Sequence, residues 1–296
     1  MTKQAMVLKD RKYQDLSARA ILYALLAIFA LFYLLPLVLM VLTSFRSMNE
    51  IRLGQLIEWP KAFSTEAWTE AWSQAQIGAR TDKGLRPYFI NSILMVFPAV
   101  FISTVLGALN GYIFSFWKFK GSEIFFAFIL FGCFLPFQAI LLPMSQTLGK
   151  LGIAGSLPGL IFVHIIYGLP FTTLFFRNYY VSIPGELIKA AKLDGADFWV
   201  IFFRIILPLS TPIIVVSVIW QFTQIWNDFL FGVVFSDPDS QPVTVGLNNM
   251  VNSSTGEKRY NVDMAGAIIA ALPTIFVYIV AGKYFVKGLT AGAVKG

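Results

Sequence analysis

Long apolar runs separated by short polar segments dominate the pattern of this chain. A helix that crosses about 30 Å of hydrocarbon needs about 20 consecutive apolar residues, and the runs reach this length. We therefore predict an all-α membrane protein with six transmembrane helices. The predicted spans are 20–44, 88–115, 122–143, 158–176, 208–231 and 263–282.

Composition agrees with a bilayer as the solvent. The 296 residues are 57% hydrophobic and 13% charged, which is more apolar surface than a soluble domain of this length buries. We predict a cytoplasmic tail (1–19), a transmembrane domain (20–282) with a cytoplasmic loop at 177–207, and a cytoplasmic tail (283–296). The first apolar run is too long for a signal peptide and lacks a small-residue cleavage site, so we predict an uncleaved span.

The basic residues predict the orientation. If the N-terminus is cytoplasmic, the inside segments are denser in Lys and Arg than the outside loops, as the positive-inside rule expects. We predict both termini on the cytoplasmic side. The net charge of +7 then reflects membrane topology and not a nucleic-acid partner.

The residue inventory argues against chemistry within the chain. Cys133 and His164 are the only residues of their types, so no disulfide or thiolate metal site forms within the chain, and we predict packing roles for both. Gly149-Lys150 and Gly282-Lys283 lack the surrounding residues of a phosphate-binding Walker A loop. We find no nucleophile and base pair, so a membrane enzyme is disfavoured.

Proline and small residues predict how the helices bend and pack. Ser103, Gly107 and Gly111 recur every fourth residue, which lets two membrane helices approach closely. Prolines inside spans predict kinks where neighbours satisfy the freed carbonyl. These prolines are Pro36, Pro136 and Pro273.

Two outer loops differ in character. In the loop 45–87, Ala and Trp residues at positions 67, 68, 71, 72 and 75 share one helical face, which predicts a helix at the membrane interface. The loop 232–262 is polar and rich in turn residues, suited to recognition or to connection. Its Asn252-Ser253-Ser254 matches only a weak glycosylation pattern.

The segment 183–208 places two short helices between apolar runs. Glu186 lies in the first turn of the first helix, where a negative charge suits the helix dipole. Leu187, Ala190, Ala191 and Leu193 are predicted to form its apolar face. Gly195 is predicted to end that helix with a positive φ, after which 196–207 resumes helical periodicity.

The fifth span carries a polar stripe with an aromatic edge, formed by Trp220, Gln221, Gln224, Asn227 and Asp228. Amides and a carboxylate bind sugar hydroxyls, and an aromatic face covers the C–H face of a sugar. Because polar groups are costly in lipid, the stripe is predicted to face inward. Interhelical hydrogen bonding is an equally good interpretation. Gln138 is a weaker candidate of the same kind.

The segment 183–208 resembles the cytoplasmic "EAA" loop of the permease subunits of ATP-binding-cassette (ABC) importers. Ala190, Ala191, Asp194, Gly195 and Ala196 fall on the motif, as do Ile206, Leu207 and Pro208. The run QFTQIWNDFLFG and the C-terminal GLTAGAVKG resemble the maltose-type carbohydrate branch, and the segments FFRNYYVSIPGEL and 236–245 are most similar to glucose/mannose-type permeases. Lys189 departs from the pattern, since the motif has Glu there.

The resemblance implies a type I ABC importer permease fold and a role as one half of a sugar pathway in a bacterial or archaeal cytoplasmic membrane. It implies coupling to a dimeric ATP-binding subunit through Glu186, Ala190, Ala191, Asp194, Gly195 and Ala196. The other implied partners are a second permease subunit, an extracytoplasmic sugar-binding protein, the sugar and membrane lipid. ATP and Mg²⁺ are then cofactors of the partner ATPase and not of this chain. The C-terminal tail is implied to insert along the ATPase.

A second hypothesis is a stand-alone proton-coupled transporter or channel, with Asp228 and His164 as titrating groups. The absence of an obvious internal repeat weighs against it, because many secondary transporters consist of such repeats.

Overall fold

The computed structural model describes residues 3–54, 59–78, 83–252 and 258–293, with side chains for 18–54, 59–78, 83–252 and 258–282. Within these ranges the chain is helical and no strand forms; Gly155 and Ser236 make an isolated bridge. The serines of the glycosylation pattern and the last three residues of the predicted C-terminal tail lie outside the described part.

The described helices fall into two series along the chain. The first series is α1 (Lys3–Ser44), α2 (Met48–Leu53), α3 (Glu66–Ser73), α4 (Arg86–Phe116), α5 (Ser122–Phe131), a 3₁₀ turn (Gly132–Phe134), α6 (Phe137–Lys150) and α7 (Leu157–Tyr180). The second series is α8 (Gly185–Leu193), α9 (Phe198–Ile201), a π-helix (Phe202–Ile206), α10 (Leu207–Leu209), α11 (Thr211–Trp226), α12 (Leu230–Phe235), α13 (Val243–Asn252) and α14 (Tyr260–Ala293).

Four described helices are long and apolar enough to cross a membrane, and two bent helix pairs bring the number of spans to six. The four are Ala18–Ser44, Arg86–Phe116, Leu157–Tyr180 and Tyr260–Gly282, and the pairs are Ser122–Phe134 with Phe137–Lys150 and Phe198–Leu209 with Thr211–Trp226. This confirms the predicted all-α membrane fold with up to six spans. α1 and α14 also continue into parts of the predicted tails, from Lys3 and up to Ala293.

The third span breaks more sharply than predicted. Its two helices meet at 107°, and the second continues to Lys150, beyond the predicted end at 143. Pro136 lies at the break, where its missing N–H and its effect on the preceding residue both disfavour a continuous helix. Pro36 and Pro273, by contrast, lie inside α1 and α14.

The chain divides into two compact units, 1–71 with 257–268 and 72–256 with 269–296. In the first unit Ala67 and Ala71 are buried, and the Trp68 ring stacks on Phe45 with centroids 5.3 Å apart. The predicted interfacial location of α3 remains a prediction. The apolar side of α1 is mostly exposed, as a lipid-facing helix requires; Phe32, for example, is 70% exposed.

The second unit is organised around the contact of α4 with α7. A Cβ on Gly107 would lie 2.5 Å from the Thr172 Cβ, and one on Gly111 would lie 2.6 Å from the Phe176 Cβ. The backbones therefore approach more closely than any side chain larger than hydrogen permits. This confirms the packing face predicted from the four-residue spacing.

The predicted polar loop 232–262 contains two helical segments that the sequence reading missed. α12 extends to Phe235, and α13 buries Val243, Val245, Gly246 and Met250. The Val243 N–H donates to Ser92 Oγ at 2.8 Å, which ties α13 to α4. The polar, turn-rich composition of the loop did not reveal these helices, because isolated apolar residues among polar ones carry their packing.

Candidate functional site

The segment between α7 and α11 contains α8, α9, the π-helix and α10. α8 follows Pro184 and has Glu186 in its first turn. It ends at Leu193 with Asp194 as its C-cap, and Gly195 follows with φ of 83°, so the predicted positive φ is confirmed. Asp197 is the N-cap of α9, and its Oδ1 accepts a hydrogen bond from the Val200 N–H at 2.7 Å.

The buried face of α8 differs from the predicted one. Ile188 and Ala191 are buried, whereas Leu187 is 46% and Leu193 is 89% exposed. The predicted apolar face of Leu187, Ala190, Ala191 and Leu193 is therefore not the buried side of α8, apart from Ala191. A nine-residue helix that is apolar on both sides does not tell from spacing alone which side meets the bundle.

The remaining residues predicted to contact an ATPase lie at the surface of this loop. Glu186, Ala190, Asp194 and Gly195 are exposed, and Ala196 is half-buried. The Ala196 N–H donates to the Ala191 carbonyl at 2.9 Å, which closes the turn after α8. These residues are therefore accessible at least in part, and their role in coupling stays a prediction.

Three contacts connect the loop to the transmembrane helices. The Lys192 ammonium lies 3.8 Å from the centroid of the Trp117 ring, directly after α4. The Tyr112 hydroxyl of α4 donates to the Phe198 carbonyl at 3.2 Å, and its ring packs on Phe198 and Phe202. Buried Ile188 and Ala191 complete this cluster. The loop is therefore packed against the membrane helices.

The polar stripe of the fifth span faces a cavity of about 460 Å³ between α7, α11 and α12. This volume lies in the range of about 300–1,000 Å³ that is usual for small-molecule sites. All five predicted residues line it. The lining residues are Phe137, His164, Tyr167, Gly168, Phe171, Trp220, Gln221, Thr223, Gln224, Ile225, Asn227, Asp228, Phe229, Leu230 and Phe231.

The five stripe residues have different environments. Gln221 is only 1% exposed, and its Nε2 donates to Ser103 Oγ at 2.8 Å, so it bonds between helices. A Cβ on Gly168 would lie 2.1 Å from that Nε2, which explains the glycine opposite. Gln224 and Asn227 are exposed toward the cavity. Gln221 therefore fits the interhelical interpretation, whereas sugar contact by Gln224 and Asn227 stays a prediction.

The aromatic edge of the stripe is supported by α7. The Trp220 ring packs on Phe171 with centroids 4.7 Å apart and meets Phe175 edge-on at 5.4 Å. A ring held in this way offers a fixed apolar surface to a ligand. Gln138 is exposed and does not line the cavity, although its neighbour Phe137 does. Its pathway role stays a prediction.

His164 is the cavity residue to which the sequence reading gave a packing role. Its ring does pack edge-on against Phe231 at 5.6 Å, but its Nε2 also lies 3.7 Å from Asp228 Oδ2 at the cavity wall. A usable signal existed, because His164, Tyr167, Gly168 and Phe171 follow helical i, i+3, i+4, i+7 spacing. Asp228 accepts hydrogen bonds from the Phe231 and Gly232 N–H groups and so caps α12.

No group of three or more His, Cys, Asp or Glu residues that could hold a metal ion occurs in the part of the chain that the structure describes. Amide, imidazole, hydroxyl and carboxylate groups and aromatic rings line the cavity.

Comparisons with known proteins fit this arrangement. Residues 103–289 match the model of the family described as binding-protein-dependent transport system inner membrane component. A probable ABC transporter permease protein of Pyrococcus horikoshii is 50% identical over 57% of this chain and 62% of its own length. A glucose import system permease protein of Saccharolobus solfataricus is 29% identical over 97% of this chain and 99% of its own length.

A solved bacterial ABC transporter involved in import of the acidic polysaccharide alginate contains a chain with the same fold. The TM-score is 0.77 at 23% identity, and the match covers 94% of this chain and 98% of that one. The multi-pass helical fold, the surface loop and the family match over most of the chain agree. The chain thus belongs to the binding-protein-dependent transport system inner membrane components, the non-catalytic permease subunits of ABC importers whose ATPase is a separate subunit.

Proposed function

We propose that this chain is a permease subunit of an ATP-driven sugar importer and forms one half of its translocation pathway. The observation that carries the proposal is the cavity beside α11, where a fixed Trp220 ring faces the polar Gln224, Asn227 and Asp228. Sugars have apolar C–H faces and hydroxyl edges, which match such a pairing. The likeness to a glucose import permease supports the same substrate class.

The proposed assembly contains two permeases, two ATP-binding subunits and an extracytoplasmic sugar-binding protein. Up to six spans in this chain suit one half of a gated pathway, so a second permease supplies the other half. The exposed Leu187 and Leu193 of α8 suit a protein surface that covers them. The density of basic residues supports a cytoplasmic location for the loop and both termini.

Coupling proceeds through the loop in this proposal. When the ATPases close, α8 moves with them, and its contacts to Trp117 and Tyr112 transmit the movement to α4. The chain also runs from α9 through the π-helix and α10 directly into α11, which carries the cavity residues. Lys189 is exposed where the resembled motif has Glu, so contact with the ATPase relies on Asp194 and on shape.

The proposal is tested by purifying the complete assembly, reconstituting it in liposomes and measuring sugar uptake with the proton gradient collapsed. We expect uptake to require ATP on the side of the membrane that carries the ATPase. Sugar-loaded binding protein should also stimulate ATP hydrolysis. Gln224→Leu combined with Asn227→Leu should impair uptake while the assembly remains intact. Uptake without ATP contradicts the ATP-driven mechanism. Unchanged uptake kinetics in the double variant contradict the pathway role.

One observation favours the alternative of a proton-coupled carrier, namely the proximity of His164 and Asp228. That hypothesis predicts uptake by this chain alone when a proton gradient is imposed. The same liposomes without the ATPase decide between the two mechanisms, because only the carrier remains active in them.

A further inference from the structure

We propose that His164 and Asp228 together bind one hydroxyl group of a neutral saccharide ring, which makes the cavity a sugar subsite within this chain. The inference rests on the proposed import function and deepens it. It assigns two residues of the cavity to sugar binding and predicts a preference for neutral over anionic sugars.

The first argument is the unsatisfied nitrogen of His164. The side chain is only 4% exposed, and its Nε2 has no hydrogen-bond partner in the structure. A buried polar atom without a partner costs about 1–3 kcal/mol, so such an atom calls for an explanation. Since His164 lines the cavity, an oxygen atom of a cavity ligand can supply the partner.

The second argument is the distance to Asp228. Nε2 and Oδ2 lie 3.7 Å apart, which is too long for a direct hydrogen bond. A single oxygen about 2.8 Å from each atom closes the gap. A hydroxyl fits both partners, because it donates to the carboxylate and accepts from or donates to the imidazole according to the tautomer.

The third argument is the placement of the aromatic surface. Trp220 also lines the cavity and is held by Phe171 and Phe175. Tyr167 and Phe231 line it as well, and Phe231 packs against His164. A ring that covers one of these faces can place a hydroxyl toward the histidine and aspartate. Asp228 is also held in place, because it accepts the Phe231 and Gly232 N–H groups.

The charge of the lining selects the ligand class. Among the described residues that line the cavity, none is Lys or Arg, and Asp228 is the one carboxylate. An anionic sugar such as a uronate therefore meets a like charge without a compensating cation. A neutral ring meets no such penalty.

The experiment measures equilibrium binding to the assembled complex in nanodiscs without binding protein. The probes are radiolabelled D-glucose, D-xylose and N-acetyl-D-glucosamine, with D-glucuronate as the anionic counterpart of glucose. His164→Phe keeps the ring contact with Phe231 and removes the nitrogen. Asp228→Asn removes the charge and keeps one of the two oxygen acceptors that the Phe231 and Gly232 N–H groups use. Thr172→Val is the matched control, a buried α7 substitution away from the cavity.

We expect the wild type to bind at least one neutral sugar and to bind glucuronate far more weakly than glucose. His164→Phe and Asp228→Asn should each weaken neutral-sugar binding about tenfold or more, and Thr172→Val should match the wild type. Asp228→Asn should also narrow the difference between glucose and glucuronate. Unchanged thermal unfolding midpoints show that the variants are folded.

Wild-type affinity in both cavity variants overturns the inference, since the oxygen between the two residues is then solvent only. Equal binding of glucose and glucuronate by the wild type, or no binding of any neutral probe, also overturns it. If ATP-dependent sugar uptake persists in any of these cases, the proposed import function stands without the subsite. If no saccharide is taken up at all, both proposals are wrong.

Discussion

Two glycines of the surface loop provide a matched test of the coupling helix. Gly185 begins α8 and Gly195 follows its end, and a Cβ at either position meets no atom within 4 Å. They differ in backbone conformation, since Gly195 has φ of 83° and Gly185 is outside the positive region. Alanine at the two positions therefore separates backbone strain from steric clash.

The expected energies follow from this difference. Alanine in the left-handed conformation costs about 1–2 kcal/mol, so Gly195→Ala should weaken the end of α8 by that amount. Gly185→Ala should be neutral or favour the helix by up to about 1 kcal/mol, because alanine restricts the unfolded chain. Gly195→Pro should be far worse, since proline fixes a negative φ and removes the N–H that donates to the Lys192 carbonyl.

Amide hydrogen exchange of α8 measures the effect directly. We expect exchange in Gly195→Ala to be faster than in Gly185→Ala by about tenfold or more, because 1.4 kcal/mol corresponds to a factor of ten. Sugar-stimulated ATP hydrolysis by the assembled complex should fall in the same order and vanish in Gly195→Pro. Equal protection and equal stimulation in the two alanine variants would refute the reasoning.

Three further predictions concern surface, packing and charge. Leu193→Ser should change the free energy of unfolding by no more than about 0.5 kcal/mol yet reduce recovery of the ATPase in co-purification; full recovery argues against docking there. Gly107→Ala should destabilise the chain by about 1–3 kcal/mol because the facing helix leaves no space for a Cβ, whereas Gly149→Ala, in open space, should not. Similar thermal unfolding midpoints for the two variants contradict this packing. Lys192→Leu should destabilise α8 by about 0.5–1 kcal/mol because the contact of the ammonium with the Trp117 ring is lost, whereas Lys189→Leu should have little effect. Amide hydrogen exchange of α8 measures both variants, and equal exchange rates exclude a role for that contact.

The sequence predicted those features that depend on local composition. Apolar run length gave the spans, small residues at fourfold spacing gave the contact of α4 with α7, and Gly195 gave the end of α8. The first two features follow from the geometry of a single helix. The third follows because glycine adopts a positive φ more readily than other residues.

Features that depend on long-range packing were missed or misplaced. The buried side of α8 is set by the aromatic cluster around Tyr112, which belongs to another helix. α13 packs on α4 through residues more than a hundred positions away, as the bond between Val243 and Ser92 illustrates. His164 becomes informative only when α11 and α12 bring Asp228 beside it.

The fifth span bends at Ser210. The segments before and after it meet at 76°, and the Ser210 hydroxyl lies 2.9 Å from the Tyr180 hydroxyl at the end of α7. Beyond this pivot, the 16 residues of α11 form an arm about 24 Å long. A rotation of about 10° at this bend would displace the far end of α11 by about 4 Å, and the cavity residues that α11 carries would move with it.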